Sequence, residues 1–370
     1  MIRVTTKHIV LGSLFCFGFW ANGFASDDGF IISQQKFIRI SPLYQSWSMN
    51  SANQLSEVST PVFLYMPLSS NMSMSLRGSQ ATVKSDMSSK LGGLTDTQIN
   101  VSYYLESSKT VLHCGVNLPT GKKELTVEEF GTSYLISLNM YNLQVPSFGQ
   151  GLNVSPGISW AKILSERVVL GLGASYQYRG SFKPFENMTG LYDPGDEILI
   201  TGGLDFRLNE TTSFSTDVVF TTYGIDKLNG EESFQAGHKI VINSQLRILL
   251  DYNELLLFGR YRSKDKNKIA IAGGLDEEDE KTFPDQIELM GRYRFRLGNG
   301  YYASILAEGR FFNETTVFNK VTILGLGSTI DIPVSPEIKI PCRLKYLNCT
   351  IEGSSTISGI EVGVGVDWSF

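Results

Sequence analysis

The chain of 370 residues is 42% apolar and 19% charged, and its formal net charge is −5. These values exclude a strongly basic nucleic-acid-binding protein and a chain too polar to fold, so we expect no nucleic acid among its partners. A soluble enzyme could have the same composition, so the arrangement of apolar residues along the chain has to decide the class of protein.

The N-terminus carries the pattern of a secretory signal peptide. Three basic residues, Arg3, Lys7 and His8, precede an apolar run from Ile9 to Trp20. That run is too short to cross a bilayer as a helix, and Ala25 offers the small residue at which a signal peptidase cuts. We therefore predict a signal peptide over residues 1–25 and a single exported domain over residues 26–370.

Amphipathic β-strands are the predicted secondary structure of the exported domain. Between Leu170 and Tyr178 every second residue is apolar, and glycine, serine or glutamine stands between them. This period of two predicts a strand with one apolar and one polar face. The same alternation recurs in Ile99–Leu105, Leu204–Leu208, Leu255–Tyr261 and Ile287–Leu297.

Tight and long connections alternate between these strands. Tight turns are predicted at 164–167, 209–211, 251–253, 297–300 and 333–336, and long outer loops at about 119–150, 180–195, 223–236, 264–283 and 348–355. Short periplasmic turns and long outer loops are typical of outer-membrane barrels, whereas a β-sandwich does not need this alternation. For the chain to end on the periplasmic side, a further strand is required at Glu337 to Asn348.

The sequence therefore predicts an all-β fold, a transmembrane antiparallel up-and-down β-barrel of about 14–16 strands. Our count reaches sixteen between Phe37 and Phe370, and fourteen is the rival, because closed bacterial barrels have even strand numbers. The segment from Glu124 to Tyr141 could be a strand pair or a short helix, and we place it in the outer loop.

The last strand alternates strictly up to the C-terminus. Apolar residues from Ile360 to Phe370 occupy one face, which needs no covering layer in lipid. We expect Trp368 and Phe370 to lie at the inner membrane interface, and this ending resembles the recognition signal of the outer-membrane assembly machinery. The predicted location is the bacterial outer membrane, with its lipid, lipopolysaccharide and assembly machinery as partners.

Basic residues fall on the parity opposite to the apolar face. They include Arg247, Arg260, Arg262, Arg292, Arg294, Arg296 and Arg310, with Lys239, Lys264, Lys339, Arg343 and Lys345. Charges facing lipid at the midplane would cost about 2–4 kcal/mol each, so we predict that they line the lumen as a solute pathway.

Two arrangements of these charges are open. The basic wall could stand opposite carboxylates and favour anionic solutes through a transverse field; those carboxylates are Glu197, Asp205, Asp217, Glu361 and Asp367. Alternatively, the basic residues could pair with Glu254, Glu288 and Glu308 and fill a narrow lumen, and this second arrangement is favoured.

The sequence offers little for catalysis or metal binding. His113 and His238 lack a matching serine or a metal-ligand spacing, and the acidic run 276–280 is expected to be a solvated loop rather than a calcium site. Cys342 and Cys349 could close a small disulfide loop and leave Cys114 over, or all three could be unpaired thiols. We predict no enzyme activity, cofactor, metal or catalytic residue.

Four segments resemble a known family. They are 93–99 (GLTDTQI), 115–122 (GVNLPTGK), 145–151 (VPSFGQG) and 171–176 (GLGASY). Together they resemble the meta-pathway phenol-degradation family of outer-membrane proteins, which is similar to the FadL-like long-chain fatty-acid transporters. The resemblance covers roughly Pro61 to Arg207, and implies passive uptake of hydrophobic or aromatic molecules with loop 119–150 near the entry. The Asn-Pro-Ala motif of the FadL-like plug is missing, so no such plug is expected.

The predicted function is passive transport of small hydrophobic, aromatic or anionic molecules. The alternative is a structural or surface-interaction barrel with a plugged lumen. An outer-membrane hydrolase is a third hypothesis of lower weight.

Overall fold

The computed structural model describes residues 35–49, 52–86, 88–122, 124–137, 140–315, 319–354 and 356–370. The predicted signal peptide lies outside these residues. Neither of the two helices in the described part of the chain is long and apolar enough to cross a membrane.

Strands account for most of the described chain. In chain order they are β1 (Phe37–Ile40), β2 (Leu43–Met49), β3 (Ala52–Pro67), β4 (Met72–Ser85), β5 (Ser88–Leu94), β6 (Thr97–Leu105), β7 (Thr110–Leu118), β8 (Asn153–Ser165), β9 (Val168–Arg179), β10 (Tyr192–Asp193), β11 (Glu197–Arg207), β12 (Thr212–Tyr223), β13 (Ile225–Leu228), β14 (Glu231–Gln235), β15 (Lys239–Leu250), β16 (Asn253–Lys264), β17 (Lys268–Ile271), β18 (Gly274–Glu277), β19 (Gln286–Gly298), β20 (Tyr301–Phe312), β21 (Val321–Pro333), β22 (Ile338–Ile351), β23 (Ile357–Val364) and β24 (Val366–Ser369). A 3-10 helix at Glu106–Ser108 and helix α1 (Val127–Ser137) complete the elements.

Nineteen of these strands form one antiparallel sheet that closes into a barrel. Three positions in the wall are each filled by two consecutive segments, β1 with β2, β5 with β6, and β23 with β24, so the barrel has sixteen strands. β1 pairs with β24 and β2 pairs with β23, which joins the first strand to the last. The structure thus confirms the predicted all-β barrel, and closure satisfies the edges that an open sheet would leave unpaired.

The first barrel strand is interrupted by Pro42, which has no N–H to donate to the ladder. The pairing between the first and last barrel strands continues across this interruption, because the N–H of Val364 donates to the carbonyl of Pro42 at 3.1 Å. On the other side of the last strand, the N–H of Gly365 donates to the carbonyl of Pro341 at 2.8 Å. Pro341 is therefore accommodated in β22 as an acceptor.

Tight turns lie at one end of the barrel and long loops at the other. Asp251 and Asn299 take left-handed φ values of 54° and 48° in two of the tight turns, a conformation that short polar residues tolerate. Phe37 pairs with Ser369, so both ends of the described chain lie at the tight-turn end. The required strand at Glu337 to Asn348 exists as β22, but it runs on to Ile351, so the last loop begins later than the predicted residue 348.

The outward face of the barrel is apolar. On β21 and β22, for example, Leu324, Leu326, Leu344 and Tyr346 are all more than half exposed. Such a surface would be costly in water, but lipid needs no covering layer over it. A closed barrel with this exterior is the architecture of bacterial outer-membrane proteins.

The long loops after β9, β12 and β16 form a second sheet of five short strands in the order β10-β13-β14-β17-β18. Tyr192 donates its hydroxyl to Asp226 within this sheet, and burial together with that carboxylate raises the pKa of Tyr192. The predicted acidic run begins on β18, and Glu278 accepts a hydrogen bond from the N–H of Asn267 at 2.5 Å.

Of the two alternatives for Cys342 and Cys349, a disulfide or unpaired thiols, the structure has the unpaired thiols and contradicts the disulfide. Both residues lie on β22, seven positions apart, which places their Cα atoms about 23 Å apart at the usual strand rise. Their parity also differs, so Cys349 faces the buried interior and Cys342 the opposite side. No sulfur could reach the other, and all three described cysteines are free thiols.

Candidate functional site in the barrel lumen

The inward positions of β15, β16, β19 and β20 carry the predicted basic wall. Along the ladder, Glu288 lies between Arg260 on one neighbouring strand and Arg310 on the other. All seven predicted arginines fall on this inward parity, opposite to exposed apolar residues such as Leu289 and Ile305. The structure therefore brings six of them together inside the barrel, while Arg296 lies at the tight-turn end of the wall.

Carboxylates on the same strands pair with most of these arginines. Glu254 pairs with Arg247 at 3.1 Å and with Arg292 at 3.5 Å, and Glu288 pairs with Arg260 at 3.4 Å. Arg294 pairs with Asp331 on β21 at 3.2 Å, and Arg310 lies 3.9 Å from Glu308. The favoured arrangement, in which wall residues pair locally, is the one that the structure has.

A second charged network lies where the barrel closes. Lys345 Nζ lies 3.1 Å from Glu308 and 3.4 Å from Glu361, and Arg343 Nε lies 2.6 Å from Glu361. Arg310 joins the network through Glu308 at 3.9 Å. The side chains of Lys345 and Arg310 are only 3% and 5% exposed, so this network is sealed from water.

The predicted acidic wall on the opposite side does not exist as a separate surface. Glu361 belongs to the closing network, and Asp367 holds Arg39 in a bidentate pair at 2.7 and 2.8 Å. Glu197 pairs with Arg179 at 3.3 Å. Three of the five carboxylates thus pair with a neighbouring cation, and Asp217 accepts from the amide of Asn243 at 2.7 Å, so the structure favours local pairing over the alternative of two facing walls.

Part of the loop between β7 and β8 folds into the barrel, although the sequence predicted an outer loop. The loop residues Met140, Leu143, Val145 and Phe148 are buried, and the ring of Tyr141 lies 5.5 Å from that of Trp47. They share one apolar cluster with wall residues, which include Trp47, Leu55, Val83, Ile323, Leu347, Cys349 and Ile357. The loop thus covers the inner face of β2, β3, β21, β22 and β23.

Three polar contacts fix the inserted loop to the wall. The amide of Gln45 donates to the carbonyl of Tyr141 at 2.7 Å, and Arg310 donates to the carbonyl of Met140 at 3.3 Å. The carboxylate of Glu57 accepts from the N–H of Val145 at 3.3 Å. Each contact satisfies a backbone group that the apolar interior would otherwise leave unpaired.

Asp96 holds the base of this loop. Its carboxylate accepts hydrogen bonds from the N–H of Gly121 at 2.9 Å, the N–H of Gln150 at 2.7 Å and the amide of Asn117 at 3.0 Å. Its own N–H donates to the carbonyl of Phe148 at 3.1 Å. Three of the four segments that carried the family resemblance, 93–99, 115–122 and 145–151, therefore meet at one carboxylate.

Helix α1 stands at the outer end of β5. β5 pairs with β4 but not with β7, and the hydroxyl of Thr132 donates to the carbonyl of Ser89 at 2.7 Å. Val127, Phe130 and Tyr134 face outward on the same helix and are exposed. Of the two alternatives for this segment, a strand pair or a short helix, the structure has the helix, over Val127–Ser137, and it supports a part of the wall that β7 does not reach.

The remainder of the inner wall is not covered by the loop. Arg247 keeps 34% of its side-chain surface exposed and Arg294 keeps 26%, whereas Arg260, deeper in the same wall, keeps 10%. These values contrast with the sealed closing network. Water therefore reaches the charged wall toward its tight-turn end, where Arg247 and Arg294 lie.

The other predicted residues lie apart from this surface. Arg296 lies over the ring of Tyr252 at 5.1 Å, and the rings of Trp368 and Phe370 are 4.9 Å apart at the tight-turn end. His113 is on β7, and the ring of His238 lies 5.5 Å from that of Phe220 on β12. The assembly signal at Trp368 and Phe370 stays a prediction.

No family model and no curated protein matches the sequence. Among solved structures, the chain is similar to OprB of Pseudomonas putida, with 10% identity and a TM-score of 0.52 over 91% of this chain and 94% of that chain. It is also similar to OprD of Pseudomonas aeruginosa (8% identity, TM-score 0.45, 93% and 97% covered) and to the CymD monoaromatic hydrocarbon channel (10%, 0.46, 91% and 89%). At this identity, the similarity to OprB shows a shared barrel fold.

Proposed function

We propose that the protein is a channel through which small molecules diffuse passively across the bacterial outer membrane. The observation that carries the proposal is the asymmetry of the lumen. The loop covers one side of the interior, where Arg310 contacts it and is 5% exposed, while Arg247 on the other side remains 34% exposed. A loop that covers one wall narrows a pore without filling it.

The chemistry of the uncovered wall suits polar solutes. Its arginines and carboxylates alternate across neighbouring strands and are held in place by one another, so they can offer hydrogen bonds without rearranging. Charged rings of this kind set the selectivity of pores. A barrel with a fully plugged lumen is the rival function, and it would admit no solute.

We also propose membership of the phenol-degradation family, with aromatic cargo. The support is the meeting of its resemblance segments at Asp96, because a shared structural role explains why those segments occur together. We propose no catalytic role for His113 or His238. His113 lies on β7 and His238 lies directly before β15, and these two strands are not neighbours in the sheet.

Liposome swelling tests the transport proposal. Purified, folded protein is reconstituted into liposomes that are then diluted into isotonic solutions of a small sugar, a small amino acid or benzoate. We expect swelling that falls as solute size rises, and none in protein-free liposomes. Folded protein that admits no solute of any kind would refute transport and favour the structural function.

A further inference from the structure

Two lysines face each other at the long-loop end of the inner wall. Lys239 begins β15 and Lys264 ends β16, and their Cα atoms are direct partners in the ladder. Arg262 lies on the same inward face of β16, beside Val241. Three cations, which we call the mouth cluster, therefore lie together at the entrance: Lys239, Arg262 and Lys264.

The mouth cluster has no carboxylate partner within 4.0 Å among the residues that the structure describes, unlike the paired arginines deeper in the wall. Both lysine Nζ atoms lie beside the ring of Tyr223, at 5.9 and 5.8 Å, and Lys264 lies 4.4 Å from the ring of Phe283. Within the described part of the chain, Arg262 donates to the neutral amide of Gln286, at 3.3 Å.

The nearest carboxylates are engaged by other donors. Glu197 pairs with Arg179 at 3.3 Å. Asp226 accepts from the N–H of Gly195 at 2.7 Å, and Glu278 accepts from that of Asn267 at 2.5 Å. None of the described carboxylates therefore pairs directly with the mouth cluster, although Glu197, Asp226, Glu278 and Glu288 act on its charges from a greater distance.

Like charges placed directly opposite on neighbouring strands repel each other and destabilise the pair. The cost falls when an anion binds between them, because charge-assisted hydrogen bonds from ammonium and guanidinium groups are strong. An oxyanion such as a carboxylate or a phosphate would meet this chemistry. The rings of Tyr223 and Phe283 add apolar surface beside the cations, which suits an organic acid better than inorganic phosphate.

We propose that the mouth cluster binds the carboxylate of small organic acids as they enter the barrel. This inference rests on the proposed channel function, since the cations would concentrate such anions at the entrance of a conducting pore. The mouth cluster thereby indicates a substrate class, small organic acids. The paired arginines deeper in the wall do not indicate one, because their carboxylate partners neutralise their charge.

The first test measures binding by calorimetry on folded protein in detergent. Benzoate is the probe, benzyl alcohol its neutral analogue and inorganic phosphate the competing oxyanion. We expect saturable benzoate binding that weakens about tenfold or more in K239Q/K264Q, and no binding of benzyl alcohol. K239R/K264R, which keeps both charges, should retain binding, and the matched control K268Q removes a lysine exposed on β17 outside the lumen.

Three results would overturn the inference. They are equal benzoate affinity in K239Q/K264Q and the original protein, loss of affinity in K268Q to the same extent, and phosphate binding tighter than benzoate binding, which would assign the site to free phosphate. Heat-modifiable gel mobility of each variant confirms that the barrel is folded.

Benzoate block of potassium chloride current separates this inference from the channel proposal. Conduction without benzoate block or binding would overturn the mouth site and leave the channel standing. Benzoate binding to a folded barrel that does not conduct would overturn the channel and leave the site standing.

Discussion

Asp96 is the residue whose removal should most clearly release the inserted loop. The substitution D96A deletes the acceptor of three hydrogen bonds, from Gly121, Gln150 and Asn117. Hydrogen bonds to a charged acceptor contribute about 1.5–3 kcal/mol each, and they are not additive because water replaces some of them. We therefore expect docking of the loop to weaken by about 3 kcal/mol in total.

A loss of about 3 kcal/mol corresponds to an opening population that rises about 100-fold. Amide hydrogen exchange followed by mass spectrometry measures the population of the open loop. The peptide covering residues 140–150 should exchange about 100-fold faster in D96A than in the original protein. The barrel strands should keep their protection, because their ladders do not involve this carboxylate.

The matched control is D331A, which removes another inward carboxylate that is paired with Arg294 and does not contact the loop. Exchange in residues 140–150 should remain unchanged in this variant. If D96A left loop exchange at its original rate, or if D331A accelerated it equally, Asp96 would not be the residue that holds the loop base.

Three further predictions follow from single contacts. In E254Q both arginines that share this carboxylate lose their ion pair, so the reversal potential in a potassium chloride gradient should move toward anion selectivity; an unchanged potential would place Glu254 outside the conducting path. A Cβ at Gly121 would lie 2.0 Å from the carbonyl oxygen of Phe148, so G121A should lower the unfolding temperature, and an unchanged temperature would contradict the close approach. Thiol counting on the unfolded, unreduced protein should find Cys342 and Cys349 free, whereas a mass loss of two hydrogens would indicate a disulfide.

The barrel could be predicted from the sequence because a strand has a period of two. Alternation in Leu170–Tyr178 and Ile360–Phe370 distinguishes the lipid side from the lumen side residue by residue, and the lumen side then includes Arg292 and Arg294. The sixteen-strand count followed from the alternation of tight and long connections between the strands.

The inserted loop could not be predicted in this way. Its buried residues, such as Leu143 and Phe148, follow no regular period, and their partners come from distant strands, among them Ile323 and Leu347. Which arginine forms an ion pair with which carboxylate in the charged wall depends on the register between neighbouring strands. The sequence alone does not determine that register. The disulfide prediction failed for a similar reason, because it assumed a loop where β22 continues to Ile351.

Single-channel conductance in planar bilayers tests the central claim most directly. Purified protein is compared with a variant in which residues 140–148, the buried part of the loop, are replaced by a glycine-serine linker. We predict steady conductance steps from the intact protein and larger steps from the variant, because the loop narrows one side of an open pore. Folded protein that conducts in neither form would contradict the claim that this barrel is a channel.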